Sequence, residues 1–293
     1  MNNYINLFKT DFFSGVIALS KKTWLNITYA YSIYYLGVLV IGGIFIAIAF
    51  LGAFDTEIFS EMLNNPSPED SLMIFQQISD LILTPEIITS FILVFIIMLI
   101  MASWNYYFAF ITSDIEVKGQ KFRFVDLLKI SMKIEVFKLA GISIVLYLIV
   151  CLLFIIAIST AAFSGILAFF MFLFACVVSM RFILVLPAFI IGNYDFNSSF
   201  AFSFHHINWA RALKLFGISI LAMLVLIGIS LLIGIVSVIF SLIPFIGPLI
   251  QIAINVLLGA IMMSITVSSL TGLYYRYANS SQETTIETSS KQE

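Results

Sequence analysis

Long apolar segments separated by short polar ones make up most of this chain. Six of them reach the roughly 20 apolar residues that a helix needs to cross a bilayer. They run approximately over residues 29–54, 88–112, 139–158, 165–183, 215–239 and 248–274. The pattern predicts an all-α, polytopic membrane protein with six transmembrane helices, in which residues 1–277 form a single membrane domain.

An internal repeat precedes two of the helix pairs. KLAGISI at residues 138–144 recurs as KLFGISI at residues 214–220, each time where a pair of apolar segments begins. An amphipathic stretch lies ahead of each copy, FVDLLKISMKIEVF and FNSSFAFSFHHINWARAL, and FFSGVIALSKKTW before the first span is a weaker third copy. Such stretches are typical of helices that lie in the membrane interface. The sequence therefore predicts three repeats, each an interfacial helix followed by a transmembrane hairpin.

Two polar segments fall outside this pattern. The loop at residues 55–87 is acidic and has no basic residue, and residues 67–82 within it predict a short helix that begins at a Ser-Pro pair. Residues 278–293 have almost no apolar side chain to bury and predict a disordered tail.

Basic residues predict the orientation, because Lys and Arg are retained on the cytoplasmic side of a membrane. Three lie in residues 1–28 and six in residues 113–138, whereas the acidic loop has none. Trp24, Trp104 and Trp209 fall near the same predicted boundary, where an indole ring is buried while its N–H stays wet. Both termini are therefore predicted to be cytoplasmic and the acidic loop extracytoplasmic.

Composition excludes a soluble domain, since 61% of the residues are hydrophobic and only 10% are charged. The formal net charge of -2 gives no reason to expect a nucleic-acid partner, and membrane lipids are the expected surroundings. Cys151 and Cys176 both fall in apolar segments, which predicts packing side chains. The N-terminus lacks the pattern of a cleaved signal peptide, so the first span is expected to direct insertion.

Catalytic and metal-binding motifs are missing from the sequence, and no cofactor, metal site or enzymatic activity is expected. His205 and His206 are adjacent, so on a helix they point about 100° apart and do not suit one metal ion. No carboxylate falls in the middle of a predicted span, which weighs against ion-coupled transport.

Arg181 is the most conspicuous polar residue, because it lies within an apolar segment. The predicted topology places it near the cytoplasmic end of the fourth span, and Pro187 is expected to bend or end that helix. One interpretation is an interfacial anchor whose side chain reaches the head groups. The alternative is an ion pair with a nearby acid, for which Asp195 and Asp114 are the candidates.

Other candidate residues concern packing in the membrane. Asn105 and Asn255 are amides within predicted spans, where packing against a neighbouring helix is favoured over contact with a substrate. In the last span a face of small residues allows close approach of a neighbouring helix, from the same chain or from a protein partner or second copy. This face consists of Ala260, Ser264, Ser268 and Gly272.

A family resemblance rests on the second half of the chain. RFILVLPAFII at residues 181–191, the interfacial stretch and hairpin that follow, and LYYRY at residues 273–277 resemble bacterial six-helix membrane-domain families of poorly defined function. The pattern is similar to the membrane domain of glycerophosphodiester phosphodiesterases. The resemblance implies a membrane architecture and a bacterial cytoplasmic (inner) membrane. Since only sixteen residues follow Tyr277, it implies no lipid-hydrolysing activity.

Three functional hypotheses follow. The favoured one is a membrane scaffold or an accessory subunit, acting in a protein complex or in lipid organisation. The alternative is a transporter or channel for a small solute or lipid, since repeated helical units commonly build transport folds. The third is an enzyme acting on a lipid head group, which would have to use polar residues at the cytoplasmic face. That set consists of Arg181, Asp195, His205, His206 and Arg211.

Overall fold

The structure is a computed structural model that describes residues 2–53, 85–241 and 246–289, and these residues form only helices and turns. The helices are α1 (Asn2–Thr10), α2 (Phe12–Ala53), α3 (Pro85–Val117), α4 (Phe124–Ser131), α5 (Glu135–Ser159), α6 (Gly165–Met180), α7 (Val185–Ile191), α8 (Phe196–His206), α9 (Trp209–Ser241) and α10 (Ile246–Ser289). Within these described ranges, six stretches are long and apolar enough to cross a membrane. The predicted fold class is confirmed. The predicted loop helix and the turn between the last two spans lie outside the described residues.

The outer faces of the long helices are apolar. Leu148 on α5 is 63% exposed, Phe170 on α6 is 62% exposed and Leu221 on α9 is 65% exposed. Contiguous apolar surface of this kind would be a liability in water, whereas a bilayer covers it with acyl chains. The protein is therefore a multi-pass membrane protein.

Short helices precede each pair of long helices. In chain order α1 comes before α2 and α3, α4 before α5 and α6, and α7 and α8 before α9 and α10. The prediction that FFSGVIALSKKTW forms a separate interfacial helix is wrong, because these residues begin the long helix α2. Asp11 marks the real boundary, since its carboxylate accepts the Ser14 N–H at 3.2 Å and caps α2. Whether the three sections are structural copies stays a prediction.

The chain divides into two compact units, Ser32–Ala102 and the remainder, Met1–Tyr31 with Ser103–Glu293. In the smaller unit, α2 and α3 pack through Phe45 and Phe91, whose ring centroids are 4.7 Å apart. A Cβ at Gly37 would clash with the terminal methyl of Met101, so this flexible side chain would have to move to accommodate it.

The core of the larger unit lies where the short helices meet the start of α2, the C-terminal part of α3 and the middle of α10. Phe8, Leu19, Phe110, Leu184 and Val267 are fully buried there. The hairpin between α5 and α6 is tight, as predicted, and turns through the 3₁₀ segment Thr160–Ala162. Ser164 then caps α6 by accepting the Leu167 N–H.

The fourth span is interrupted near its predicted cytoplasmic end. Helix α6 ends at Met180, and α7 begins at Val185 after a turn. Pro187 lies in the first turn of α7, where its missing N–H leaves no helical bond unmade. Its ring would clash with the carbonyl of Ile183 in a continuous helix, so the break falls before the proline.

The C-terminal part of α10 differs from the predicted disordered tail, because the backbone is helical as far as Ser289. Elongation of an existing helix needs no new nucleus, and this helix has already been started by the apolar residues of the last span.

Candidate functional site

The short helix α8 carries opposite charges at its two ends. At its N-terminus the Asp195 carboxylate accepts the Ser198 N–H at 3.2 Å. The hydroxyl and amide of Ser198 hold the pKa of Asp195 below its usual range. An anion there and cations at the other end both complement the helix dipole.

Arg181 binds the C-terminal end of α8. Its Nε donates to the Ile207 carbonyl at 3.1 Å and a terminal nitrogen donates to the Phe204 carbonyl at 3.3 Å. The guanidinium carbon also lies 4.5 Å from the centroid of the Phe204 ring and 4.8 Å from that of Trp209. The half-buried guanidinium thus satisfies carbonyls that the helix leaves without partners, and it is held between two aromatic faces.

The backbone of Arg181 is fixed as well. The hydroxyl of Ser203, fully buried in α8, donates to the Arg181 carbonyl at 2.6 Å and accepts the Leu184 N–H at 3.2 Å. Two polar groups in the break between α6 and α7 therefore depend on one hydroxyl.

Arg211 is a second cation at the same helix end. Its guanidinium donates to the His206 carbonyl at 2.7 Å and lies 5.0 Å from the centroid of the Tyr277 ring. The His206 ring packs between Phe202 and Tyr277. Burial, together with His205 and Arg211, lowers the pKa of His206.

The hypothesis that Asp195 or Asp114 forms an ion pair with Arg181 is wrong within the described part of the chain. Asp195 and Arg181 bind opposite ends of α8, which are about 16 Å apart at 1.5 Å per residue. Asp114 accepts the Tyr275 hydroxyl at 2.5 Å and the Lys118 ammonium at 2.6 Å. It therefore joins the C-terminal end of α3 to the second half of α10, and Arg181 is satisfied by carbonyls and rings.

The small-residue face of the last span is used inside the chain. Ala260, Ser264 and Ser268 are fully buried, and the hydroxyls of Ser264 and Ser20 lie 3.0 Å apart. A Cβ at Gly272 would lie 2.9 Å from the Phe8 ring. The predicted close helix contact is therefore made by α1 and α2. Association with a partner through the last span stays a prediction and would need other residues of α10.

The two intramembrane amides have different surroundings. Asn105 is buried with its Nδ2 3.9 Å from the Met263 sulfur, while its Oδ1 has no hydrogen-bond partner among the described residues. Asn255 is exposed, and Gln251 is exposed one turn earlier on the same face of α10. Asn255 and Gln251 have no hydrogen bond among the described residues. Gln251 was not predicted as a candidate residue because it falls close to the predicted membrane boundary.

A cavity of about 650 Å³ opens between α5, α7 and the start of α8. It brings Glu135, Lys138 and Asp195 together with apolar residues that include Ile142 and Phe189. Glu135 was not a predicted site residue, since a carboxylate in the first turn of a helix is expected on dipole grounds alone.

The residues proposed for head-group chemistry converge only in part. At the C-terminal end of α8 lie Arg181, His205, His206 and Arg211, whereas Asp195 lies at the other end. No group of three or more His, Cys, Asp or Glu side chains suited to a metal ion occurs among the described residues. What this cluster can do is hold α8 against the ends of α6 and α9.

In comparisons with known protein families, curated proteins and solved structures, no match to this chain was found.

Proposed function

We propose that this protein is a non-catalytic membrane scaffold or accessory subunit in a bacterial cytoplasmic membrane, with both termini in the cytoplasm. The observation that carries the proposal is the pair of exposed amides on α10, Gln251 and Asn255. Asn255 lies six residues, about 9 Å, inside the span that begins at Leu249. An amide at this depth that faces lipid loses its hydrogen bonds to water, so a partner helix that supplied them would be stabilised.

The structural use of the other polar residues supports a non-catalytic role. Arg181 and Arg211 are occupied with the carbonyls of α8, and Asp114 is occupied with Tyr275 and Lys118. Groups committed to holding helices together are poor candidates for acid–base chemistry, which needs a proton that can move.

Site-specific photo-crosslinking in the native membrane tests the proposal. A photoreactive amino acid at position 255 should give a protein adduct of defined mass after irradiation. The matched control is the same probe at Leu257, which is also exposed and lies about 200° around the helix from Asn255. Adducts at neither position, or equal adducts at both, would contradict a specific partner on the amide face. Adducts whose mass equals two copies of the chain would identify the partner as a second copy.

A second candidate, movement of a lipid or small solute across the membrane, is favoured by the cavity beside α5, which combines charged and apolar lining. Flux or lipid scrambling in vesicles that contain the purified chain tests it. Rates equal to those of protein-free vesicles would exclude this function for the solutes and lipids measured.

A further inference from the structure

The cavity beside α5 changes from polar to apolar along the helix. Glu135 and Lys138 lie in the first turn, Ile142 follows one turn later, and Val145 is the last lining residue along α5. Glu135 and Val145 are ten residues, about 15 Å, apart along the axis. The head-group layer of a bilayer is roughly 5–8 Å thick on each side, so this length covers that layer and the first part of the acyl chains. The lining therefore matches an amphiphile that lies along α5.

Apolar residues close the inner side of the cavity. Ile142 and Ile190 are 3% and 7% exposed, and both belong to the packed interior of the protein. Gly141 is exposed at the cavity wall, and a Cβ built there would meet no atom within 4 Å. The space beside Gly141 is thus open and is wide enough for a ligand atom or an added side chain.

Two of the charged groups at the mouth, Glu135 and Lys138, have no hydrogen bond or ion pair among the described residues, whereas Asp195 caps α8. Of the two, Glu135 is half-buried. Lys118 differs, since it pairs with Asp114. Partial burial of a carboxylate is costly unless a cation or a donor compensates it. A ligand with an ammonium group would compensate Glu135, and a ligand phosphate would compensate Lys138.

The balance of charge selects among head groups. Glu135 and Asp195 contribute two negative charges and Lys138 one positive charge, so the mouth carries a net charge of -1. A ligand with a net negative charge is repelled on balance, whereas a zwitterion can place each of its charges opposite a complementary one. The neutral amide of Asn193 adds a donor and an acceptor at the same mouth.

We propose that this cavity binds a phosphate ester with a primary ammonium group, as in a phosphoethanolamine head group. Its ammonium lies at Glu135, its phosphate lies at Lys138, and its acyl chain runs along Ile142 and Val145. The site would belong to the protein whether it acts as a scaffold or in another role, so the proposal goes beyond the proposed function and does not rest on it.

Native mass spectrometry of the purified full chain tests this site. The detergent-solubilised protein is mixed with equal amounts of phosphatidylethanolamine and phosphatidylglycerol, and the lipid retained on each protein molecule is counted. The expected result is one tightly retained phosphatidylethanolamine. Glu135→Gln removes the carboxylate charge at constant shape and should weaken that retention roughly tenfold, as expected for the loss of one charge-assisted hydrogen bond.

The internal repeat supplies a matched control for filling the cavity. Gly141→Leu places a side chain in open space within the cavity and should abolish the retained lipid. Gly217 occupies the equivalent position in KLFGISI, is also exposed, and has no atom within 4 Å of a built Cβ, but does not line the cavity. Gly217→Leu should therefore leave retention unchanged, which separates blockage of the site from a general effect on the membrane surface.

Free phosphoethanolamine distinguishes the two sources of this chemistry. If it displaces the lipid, the head group alone is recognised, and if it does not, the acyl chain is also required; either result supports the site. Equal retention of both lipids, or full retention by Glu135→Gln and Gly141→Leu, overturns the proposal. A photoreactive phosphatidylethanolamine on the unaltered protein removes any dependence on the variants. Crosslinks should fall at Tyr107 or within residues 135–145 and 189–196, which line the cavity, and crosslinks only elsewhere also overturn it.

Discussion

Replacement of Arg181 tests the capping role of its side chain. Arg181→Leu removes two charged donors from the carbonyls of Phe204 and Ile207, as well as two ring contacts. A hydrogen bond to a charged group contributes about 1.5–3 kcal/mol, and a cation–π contact about 0.5–1 kcal/mol where solvent has access. Because the side chain is only half-buried, we expect a loss of about 3–4 kcal/mol in the free energy of unfolding.

Arg181→Lys separates charge from shape. The lysine ammonium keeps a positive charge at the end of α8, but it has no planar face to lie between Phe204 and Trp209. We expect this variant to lose about half as much stability as Arg181→Leu. An interfacial anchor without these contacts would instead tolerate lysine with almost no loss.

The assay is reversible unfolding in mixed micelles, followed by tryptophan fluorescence. Trp209 reports on the region directly, since its ring lies beside both Arg181 and Phe174. Arg276→Leu is the matched control, because Arg276 is exposed on α10 and has no hydrogen bond or ion pair among the described residues. An Arg181→Leu loss below about 0.5 kcal/mol, or one equal to that of Arg276→Leu, would refute the capping role.

Three further predictions concern other contacts within the larger unit. Ser203→Ala leaves the Leu184 N–H and the Arg181 carbonyl without their partner, so it should cost about 1–3 kcal/mol and speed hydrogen exchange at the Leu184 amide, as measured by mass spectrometry. Gly259→Ala should lower the melting temperature, because its Cβ would clash with the Tyr31 ring, whereas Gly217→Ala, in open space, should not lower it. Stability should fall between pH 7.5 and 5.5, because the unfolded chain takes up a proton at the ordinary histidine pKa of about 6.5, while folded His206 does so only at lower pH. An aromatic replacement, His206→Phe, should flatten this slope in equilibrium unfolding at each pH.

The spans and their order were predictable because apolar length is a property of the chain alone. A helix in lipid needs about 20 apolar residues whatever its neighbours are, and six such stretches appear in the structure. A helix break near Pro187 was predictable, because the proline ring clashes with the carbonyl four residues earlier in a continuous helix. The exact position of the break was not predictable. Helix α1 was missed, since Asp11 acts as a boundary only through its bond to Ser14.

Partners of the polar residues could not be predicted in the same way. The ion pair expected for Arg181 assumed that a buried cation needs an anion, whereas the end of a helix offers carbonyls that serve as well. Such carbonyls are present at every helix end, so no residue type in the sequence indicates which of them will bind an arginine. Only the three-dimensional position of α8 shows that its last turn lies beside Arg181.

In this membrane protein, structural and functional polar groups are therefore distinguished by whether the fold supplies their hydrogen-bond partners. How rare the residue type is within a membrane span does not distinguish them. Arg181 is conspicuous because a charged residue is rare in an apolar segment, yet the fold supplies carbonyl and ring partners for its guanidinium. Glu135 and Asn255 are less conspicuous in sequence, but each leaves polar atoms without a hydrogen bond among the described residues. A group that the chain does not satisfy gains the most from an external partner, because its desolvation cost has already been incurred in the folded state. The lipid ammonium proposed at Glu135 and the partner helix proposed at Asn255 rest on the same physical argument.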